Sequence, residues 1–297
     1  LAAKNRQWRW RIEAALVRGL LALSRRIGIL RASALGGSVC RRIGPLLPVS
    51  NIARRNLQIA FPDSTADWQE EVLRGAWENL GRTMMELSHL RELQRTESGP
   101  GWELEGVEHI PPPGRPVIFF SAHLANWEIL LRPSASTGHT VATFYRAPDN
   151  PLVDLLVREL RQNSMMLSLF PKGSRGARLA LKHLAAGHCM GILVDQKMND
   201  GLELPFFGHP AMTATGPAEL ALRFGCPVVP IHGERIGPCR FRLVIEKPLP
   251  APEGNDHAAK VRSLTLMMNQ AVEGWLRRRP QEWLWMHRRF PRSAYRS

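Results

Sequence analysis

The sequence predicts an α/β fold, a mostly parallel sheet flanked by helices, with an N-terminal helical segment that associates with a membrane. Three observations lead there. Residues 5–30 and 51–95 carry apolar positions at helical spacing. After residue 101, short β-branched and aromatic runs alternate with helical stretches, the order of a parallel sheet covered by helices. Polar residues then gather just past successive strand ends, where open α/β sheets place their ligands. The chain divides into an N-terminal helical, membrane-associating region, 1–100, and an α/β domain, 101–297.

Residues 5–30 set Trp8, Trp10, Ile12, Ala14, Val17, Leu20, Leu21 and Leu23 among Arg6, Arg9, Arg11, Arg18, Arg25 and Arg26. A spanning helix needs about 20 mostly apolar residues, and Arg18 interrupts a shorter run, so the segment is expected to lie on a bilayer rather than cross it. Tryptophan rings at headgroup level and guanidinium groups on phosphates suit that position. An ordinary amphipathic helix packed on the protein is the alternative. Ala32-Ser33-Ala34 suggests a signal-peptidase site, but Arg18, Arg25 and Arg26 in or beside the apolar stretch argue against a cleaved leader. Leu1 is not an initiator methionine, so the natural chain is expected to start upstream.

Within 51–95, Phe61-Pro62-Asp63-Ser64 separates two helices, and Ser64 or Thr65 caps the second. Trp68, Val72, Leu73, Trp77, Leu80, Met84 and Leu87 form its core-facing stripe. The polar stretch from Thr96 to Gly101 marks a boundary. Strands are then predicted at 117–120, 140–144, 167–170, 190–194, 228–232 and 241–245, and helices at 126–132, 151–163, 177–187, 216–224 and 257–278. The turn Gly237-Pro238-Cys239 suggests that the last two strands form an antiparallel hairpin.

With 297 residues, 44% of them hydrophobic, the chain suffices for one large core or two smaller ones. Forty Lys+Arg against 26 Asp+Glu, a net +14, calls for an anionic partner: phospholipid headgroups, an acidic carrier protein or nucleic acid. Cys40, Cys189, Cys226 and Cys239 are scattered without metal-ligand spacing and are expected to be reduced thiols. The GxSxG elbow, the HExxH zinc helix and the GxGxxG fingerprint are absent, so neither a metal nor a cofactor is expected.

Chemistry centres on Ser121 to Leu130. Pro116-Val117-Ile118-Phe119-Phe120 reads as a buried strand, and Trp127, Ile129, Leu130 and Leu131 begin a helical stretch, so His123 falls in the strand-to-helix turn. On one ideal helix His123 and Glu128 would stand about 140° apart, but with His123 in the turn the Glu128 carboxylate reaches one ring nitrogen and leaves the other free. That is the arrangement of an oriented general base. Tyr145-Arg146, Lys172-Gly173-Ser174-Arg175-Gly176 and Asp195-Gln196 follow three other predicted strands. The glycine-rich basic stretch opens a helix, a place that attracts phosphate or carboxylate. Its alternative is a plain basic loop. Ser121 as a nucleophile finds little support, because adjacency in a turn does not establish hydrogen-bond geometry.

His123-Leu-Ala-Asn-Trp-Glu128 resembles the histidine-x4-acid motif of the lysophospholipid acyltransferase superfamily, and specifically its lipid A biosynthesis lauroyl/myristoyl acyltransferase branch. Further blocks follow in family order: Asn51 to Pro62, Glu86, Tyr145-Arg146 with Asn150-Pro151, Asp195-Gln196, Pro205 to Gly208, Thr213 to Gly216 and Pro280 to Arg289. The closing Pro-x-x-Trp-x-Trp-x-His-Arg-Arg block is the most branch-specific, and family members more often carry Gly at the position of Ala125. The resemblance implies acyl transfer from acyl carrier protein, a co-substrate, to a hydroxyl of a lipid A precursor at the cytoplasmic face of the inner membrane. It implies His123 as general base oriented by Glu128, with Asn126, Tyr145, Arg146, Arg158, Arg175, Asp195 and Gln196 binding substrate. Arg146, Arg158 and Arg175 are candidates both for oxyanion donor and for gripping the acceptor's phosphates. Another glycolipid, phospholipid or aminolipid acceptor would leave the chemistry unchanged. A non-enzymatic surface formed by Trp275 to Arg279 and Trp283 to Arg289 for nucleic acid is the remaining alternative, and with no recognisable module for it, no nucleic-acid partner is expected.

Overall fold

The computed structural model describes residues 2–164 and 168–295. Gly28, at φ 80°, breaks the N-terminal stretch into α1 (Ala2–Ile27) and α2 (Ile29–Ile43). The pair α3 (Ser50–Ala60) and α4 (Ala66–Glu86) is separated at Phe61-Pro62, and Thr65 caps α4 by accepting from the Trp68 amide at 3.2 Å. α2 lies along α4 at backbone contact, for a Cβ on Gly81 would stand 2.3 Å from the Gly36 carbonyl oxygen.

The rest of the chain runs β1 (Gly101–Glu105), β2 (Val117–Ser121), β3 (Val141–Tyr145), α5 (Pro151–Ser164), β4 (Ser168–Pro171), α6 (Ser174–Ala185) and β5 (Cys189–Leu193). It continues through β6 (Lys197–Phe206), β7 (His209–Thr213), α7 (Gly216–Phe224), β8 (Val228–Gly237), β9 (Arg240–Ile245) and α8 (His257–Arg278). Seven strands form one sheet in the order β1-β9-β8-β2-β5-β3-β4, parallel throughout except for the β8/β9 hairpin. Strands β6 and β7 make a separate antiparallel pair. Alternation along β2 divides the core: Ile118 and Phe120 face α4, α7 and α8, whereas Val117 and Phe119 pack with Ile129, Leu130 and Ile231 on the other face.

The mostly parallel sheet, its flanking helices and the terminal hairpin match the expectation. Three strands were not expected. β1 is a five-residue edge strand that begins where the stretch read as a boundary ends, and β6 and β7 are too polar to stand out from loops. The helix expected at 126–132 is instead two short 3-10 turns, Trp127–Ile129 and Arg132–Ala135, since Asn126 caps the first and Pro133 starts the second. Of the strand expected at 167–170, Leu167 lies outside the described residues.

No helix among the described residues is long and apolar enough to cross a membrane. Instead α1 and α2 leave a run of large apolar side chains exposed: Trp8, Ile12, Leu16, Leu20 and Leu23, then Leu30, Leu35 and Val39. Their opposite faces are anchored. Ser24 donates to the Met85 carbonyl at 2.9 Å, and Asn150 donates to the Trp10 carbonyl at 2.9 Å and to Glu13 at 3.0 Å.

Beneath the helices lies a buried ion pair. Arg235 on β8 donates to both Glu86 oxygens, at 2.6 and 3.0 Å, and Glu86 also accepts from Ser33 at 2.7 Å and Asn126 at 2.9 Å. Burial pushes the Glu86 carboxyl up, but the Arg235 charge and these donors outweigh it and hold its pKa below the ordinary value. Glu86→Ala is expected to destabilise the protein by about 3–5 kcal/mol in urea unfolding, because it leaves Arg235 charged and unpaired in the interior. A loss no larger than that of a surface substitution would mean that the pair does not hold the fold together.

Candidate active site

The site is built by strand register. β2 and β5 are parallel neighbours with Ser121 opposite Leu193, and each strand runs on two residues to a titratable side chain, His123 on one and Asp195 on the other. The two therefore emerge side by side. His123 Nδ1 lies 2.9 Å from Asp195 Oδ1 and its backbone amide donates to Oδ2 at 3.0 Å. Trp283 Nε1 donates to the same Oδ2 at 2.7 Å, while His287 Nε2 is 3.3 Å from the Asp195 carbonyl oxygen.

Asp195 is 1% exposed, so its charge depends on these donors. Burial pushes its carboxyl up, yet the His123 charge and hydrogen bonds, with His287 behind them, hold it far below the carboxylate range. For His123, burial lowers the pKa, but Asp195 outweighs it and Glu128 adds to the attraction, so the ring titrates above the ordinary imidazole value.

The turn between His123 and Glu128 is strained and tied down. Ala125 sits at φ 47°, the left-handed region where a glycine is unstrained. Its amide donates to the Glu282 carbonyl at 3.0 Å, and its own carbonyl accepts from Asn79 and Thr83 of α4, each at 3.0 Å. Leu124 bridges to Trp283. Asn126 is buried; its oxygen accepts from the Glu128 amide at 3.2 Å and its amide reaches Glu86. It holds the turn and does not line the cavity.

Glu128 does not meet the expectation that it occupies a His123 ring nitrogen. Asp195 takes that place. Glu128 instead accepts from Arg161 Nε at 2.7 Å and Trp127 Nε1 at 3.0 Å, close enough to His123 to act on it only through space. Arg161 also lies over the Tyr145 ring, 5.0 Å from its centroid.

His123 opens on a cavity of about 570 Å³ between the sheet and the cover formed by the Trp127–Leu131 stretch, the end of α4 and α5. Its walls include Phe119, Leu130, Leu131, Leu169, Leu193 and Ile231. A Cβ on Gly191 would stand 2.6 Å from Leu131, so glycine there lets the cover settle on the sheet. Of the expected substrate residues, Tyr145, Arg146 and Gln196 line this cavity. Tyr145 donates to Asp154 at 2.7 Å, and Arg158 Nε donates to the same carboxylate at 2.9 Å from outside the cavity. Arg175 is exposed at the start of α6 and is not brought in. Lys172, from the basic stretch expected to attract phosphate or carboxylate, lines it too, as do Arg161 and Lys197, which were not singled out in the sequence. The spacing Asp154, Arg158, Arg161 places all three on one face of α5, a signal open to sequence reading.

A family model described as bacterial lipid A biosynthesis acyltransferase matches residues 4–292. The chain is 26% identical over 250 residues to a lipid A biosynthesis lauroyltransferase of Escherichia coli (strain K12), covering 81% of this chain and 78% of the relative. It is 24% identical over 250 residues to a lipid A biosynthesis acyltransferase of Haemophilus influenzae, covering 80% and 76% of the two chains. A lipid A biosynthesis palmitoleoyltransferase of Escherichia coli (strain K12) is 24% identical over 247 residues, covering 81% and 78%.

Proposed function

Because the chain belongs to the bacterial lipid A biosynthesis acyltransferase family, and so is an acyl-transferring enzyme of lipid A biosynthesis, we propose that it moves a fatty acyl group from acyl carrier protein to a hydroxyl of a lipid A precursor. The observation that carries this reading is the buried Asp195 carboxylate on His123 Nδ1, beside an apolar cavity. With Nδ1–H donating to Asp195, the neutral ring keeps the Nε2 lone pair for a proton.

In this account the acceptor hydroxyl gives its proton to Nε2 as its oxygen attacks the thioester carbon. The carbonyl π pair moves onto oxygen, and collapse of that oxyanion expels the thiolate, which takes the proton back from the imidazolium. Asp195 stabilises the charged ring while it lasts, and Glu128 supports it from a distance. The acyl chain occupies the cavity against Phe119, Leu131 and Leu193. Arg146, Arg161 and Lys172 face an anionic acceptor. No metal or cofactor takes part in these steps.

The acceptor is a membrane lipid, and α1 and α2 carry the exposed apolar side chains that fit a bilayer surface, with the arginines of α1 beside them. We place the enzyme on the cytoplasmic face of the inner membrane, with residues 1–100 as the membrane-associating region and 101–297 as the acyltransferase domain. The net charge of +14 suits both anionic lipid and an acidic carrier.

Incubating the protein with acyl-loaded carrier protein and a lipid A precursor is expected to give a new ester by mass spectrometry, and His123→Ala to slow its formation by about 10²- to 10⁴-fold. Undiminished transfer by that variant would remove the base from the account, and transfer only to another polar lipid would change the acceptor. In sedimentation with vesicles of zwitterionic and anionic phospholipid, replacement of Leu16, Leu20 and Leu23 by Ser is expected to release the folded protein into the supernatant. Retention equal to wild type would place the membrane contact elsewhere.

A further inference from the structure

Ser121 is the last residue of β2, two before His123, and its side chain presents a problem that the fold does not solve. It is 3% exposed, and its hydroxyl oxygen is buried without a hydrogen-bond partner among the described residues. A buried hydroxyl left unpaired opposes folding, so such groups are rare unless they have another task. The position sharpens the point. Ser121 shares the cavity-side face of the sheet with Phe119 and lines the cavity itself. Leu193 stands opposite it on β5, and Ile231 follows the Pro230 that pairs with Phe120 on β8. It is a lone hydroxyl between apolar neighbours at the end of the cavity next to the base.

Resting on the acyl-transfer reading above, we infer that Ser121 is a catalytic hydrogen-bond donor to the acyl carbonyl oxygen, and that its unpaired hydroxyl is kept for the oxyanion. The thioester carbon must meet the acceptor oxygen beside His123 Nε2, so its carbonyl oxygen enters the end of the cavity walled by Phe119, Leu193 and Ile231, where Ser121 is. A donor aimed at developing charge in a water-poor site stabilises the transition state more than the ground state. Ser121 keeps its proton throughout. The electron pair that gathers on the carbonyl oxygen returns to re-form C=O as the C–S bond breaks, and His123 alone carries the transferred proton. The hydroxyl rotates about its own bond, so one side chain follows the oxygen from carbonyl to oxyanion.

This role has a signature that a structural serine lacks. If Ser121 serves only packing or a hidden hydrogen bond, Ser121→Ala lowers the melting temperature and any activity loss follows from that. If the hydroxyl waits for substrate, Ser121→Ala removes an unsatisfied polar group, and the melting temperature rises or holds while kcat falls.

The test is the acyl-transfer assay on the full-length protein, with kcat, KM and pH profile measured for wild type, Ser121→Ala and Ser121→Cys, alongside thermal unfolding. Ser121→Ala is expected to lose about 10²- to 10³-fold in kcat with KM and the position of the pH profile unchanged. Ser121→Cys, a near-isosteric weak donor, is expected to recover part of the loss. An unchanged kcat, or a lowered melting temperature in Ser121→Ala, would overturn the inference while wild-type transfer leaves the acyl-transfer reading standing. Absence of transfer by wild type would overturn both.

Discussion

The hydrogen bond between His123 Nδ1 and Asp195 joins the ends of two neighbouring parallel strands, and most of the surrounding structure serves to keep it in place. A carboxylate buried this completely is tolerable only if its oxygens are satisfied. The His123 ring and amide supply two donors and Trp283 a third, from a segment 88 residues further along the chain. The tryptophan-rich C-terminal block is thus part of the electrostatics of the site. Asn56 of α3 holds that block in turn, donating to the Trp285 carbonyl at 2.7 Å and the His287 carbonyl at 2.8 Å.

The second constraint is Glu86. It gathers Ser33 from α2, Arg235 from β8 and Asn126 from the turn below His123 onto one carboxylate. The helices with exposed apolar faces and the loop that carries His123 therefore share a buried polar network. Thr83 and Asn79, one and two turns earlier on α4, hold the Ala125 carbonyl and so the left-handed backbone that turns the loop toward the sheet. Strain at Ala125 persists because both of its polar backbone groups are bound by other elements.

Much of this was legible in the sequence, because most of it is local. The period of apolar residues marks α3 and α4 and the Phe61-Pro62 break between them, and the strand-end position of His123 follows from Val117 to Phe120 and the turn after it. The error at Glu128 has a definite cause. A carboxylate five residues away seemed the natural partner, whereas the real one is brought in from 72 residues away by strand order, which no local pattern encodes. Asp195 had been placed at a strand end, but that β5 lies beside β2 is a tertiary fact. Asn126, which the resemblance put among the substrate residues, turns its side chain into the protein toward Glu86 instead of the cavity, again a matter of tertiary placement. β6 and β7 escaped notice because a two-stranded pair outside the main sheet shows little continuous apolar surface.

The central claim is that Asp195, not Glu128, sets the protonation of the base. The most direct measurement is the pH dependence of kcat/KM for acyl transfer in wild type, Asp195→Asn and Glu128→Gln. His123 must be neutral to act, and its pKa is raised, so wild-type activity is expected to fall as pH drops through a value above the ordinary imidazole pKa of about 6.5. Removing the Asp195 charge lowers that pKa, so Asp195→Asn is expected to move the acid limb to lower pH while reducing the maximal rate. Glu128→Gln is expected to move it less, since Glu128 acts on the ring only through space. An acid limb that shifts with Glu128→Gln and stays fixed in Asp195→Asn would contradict the account.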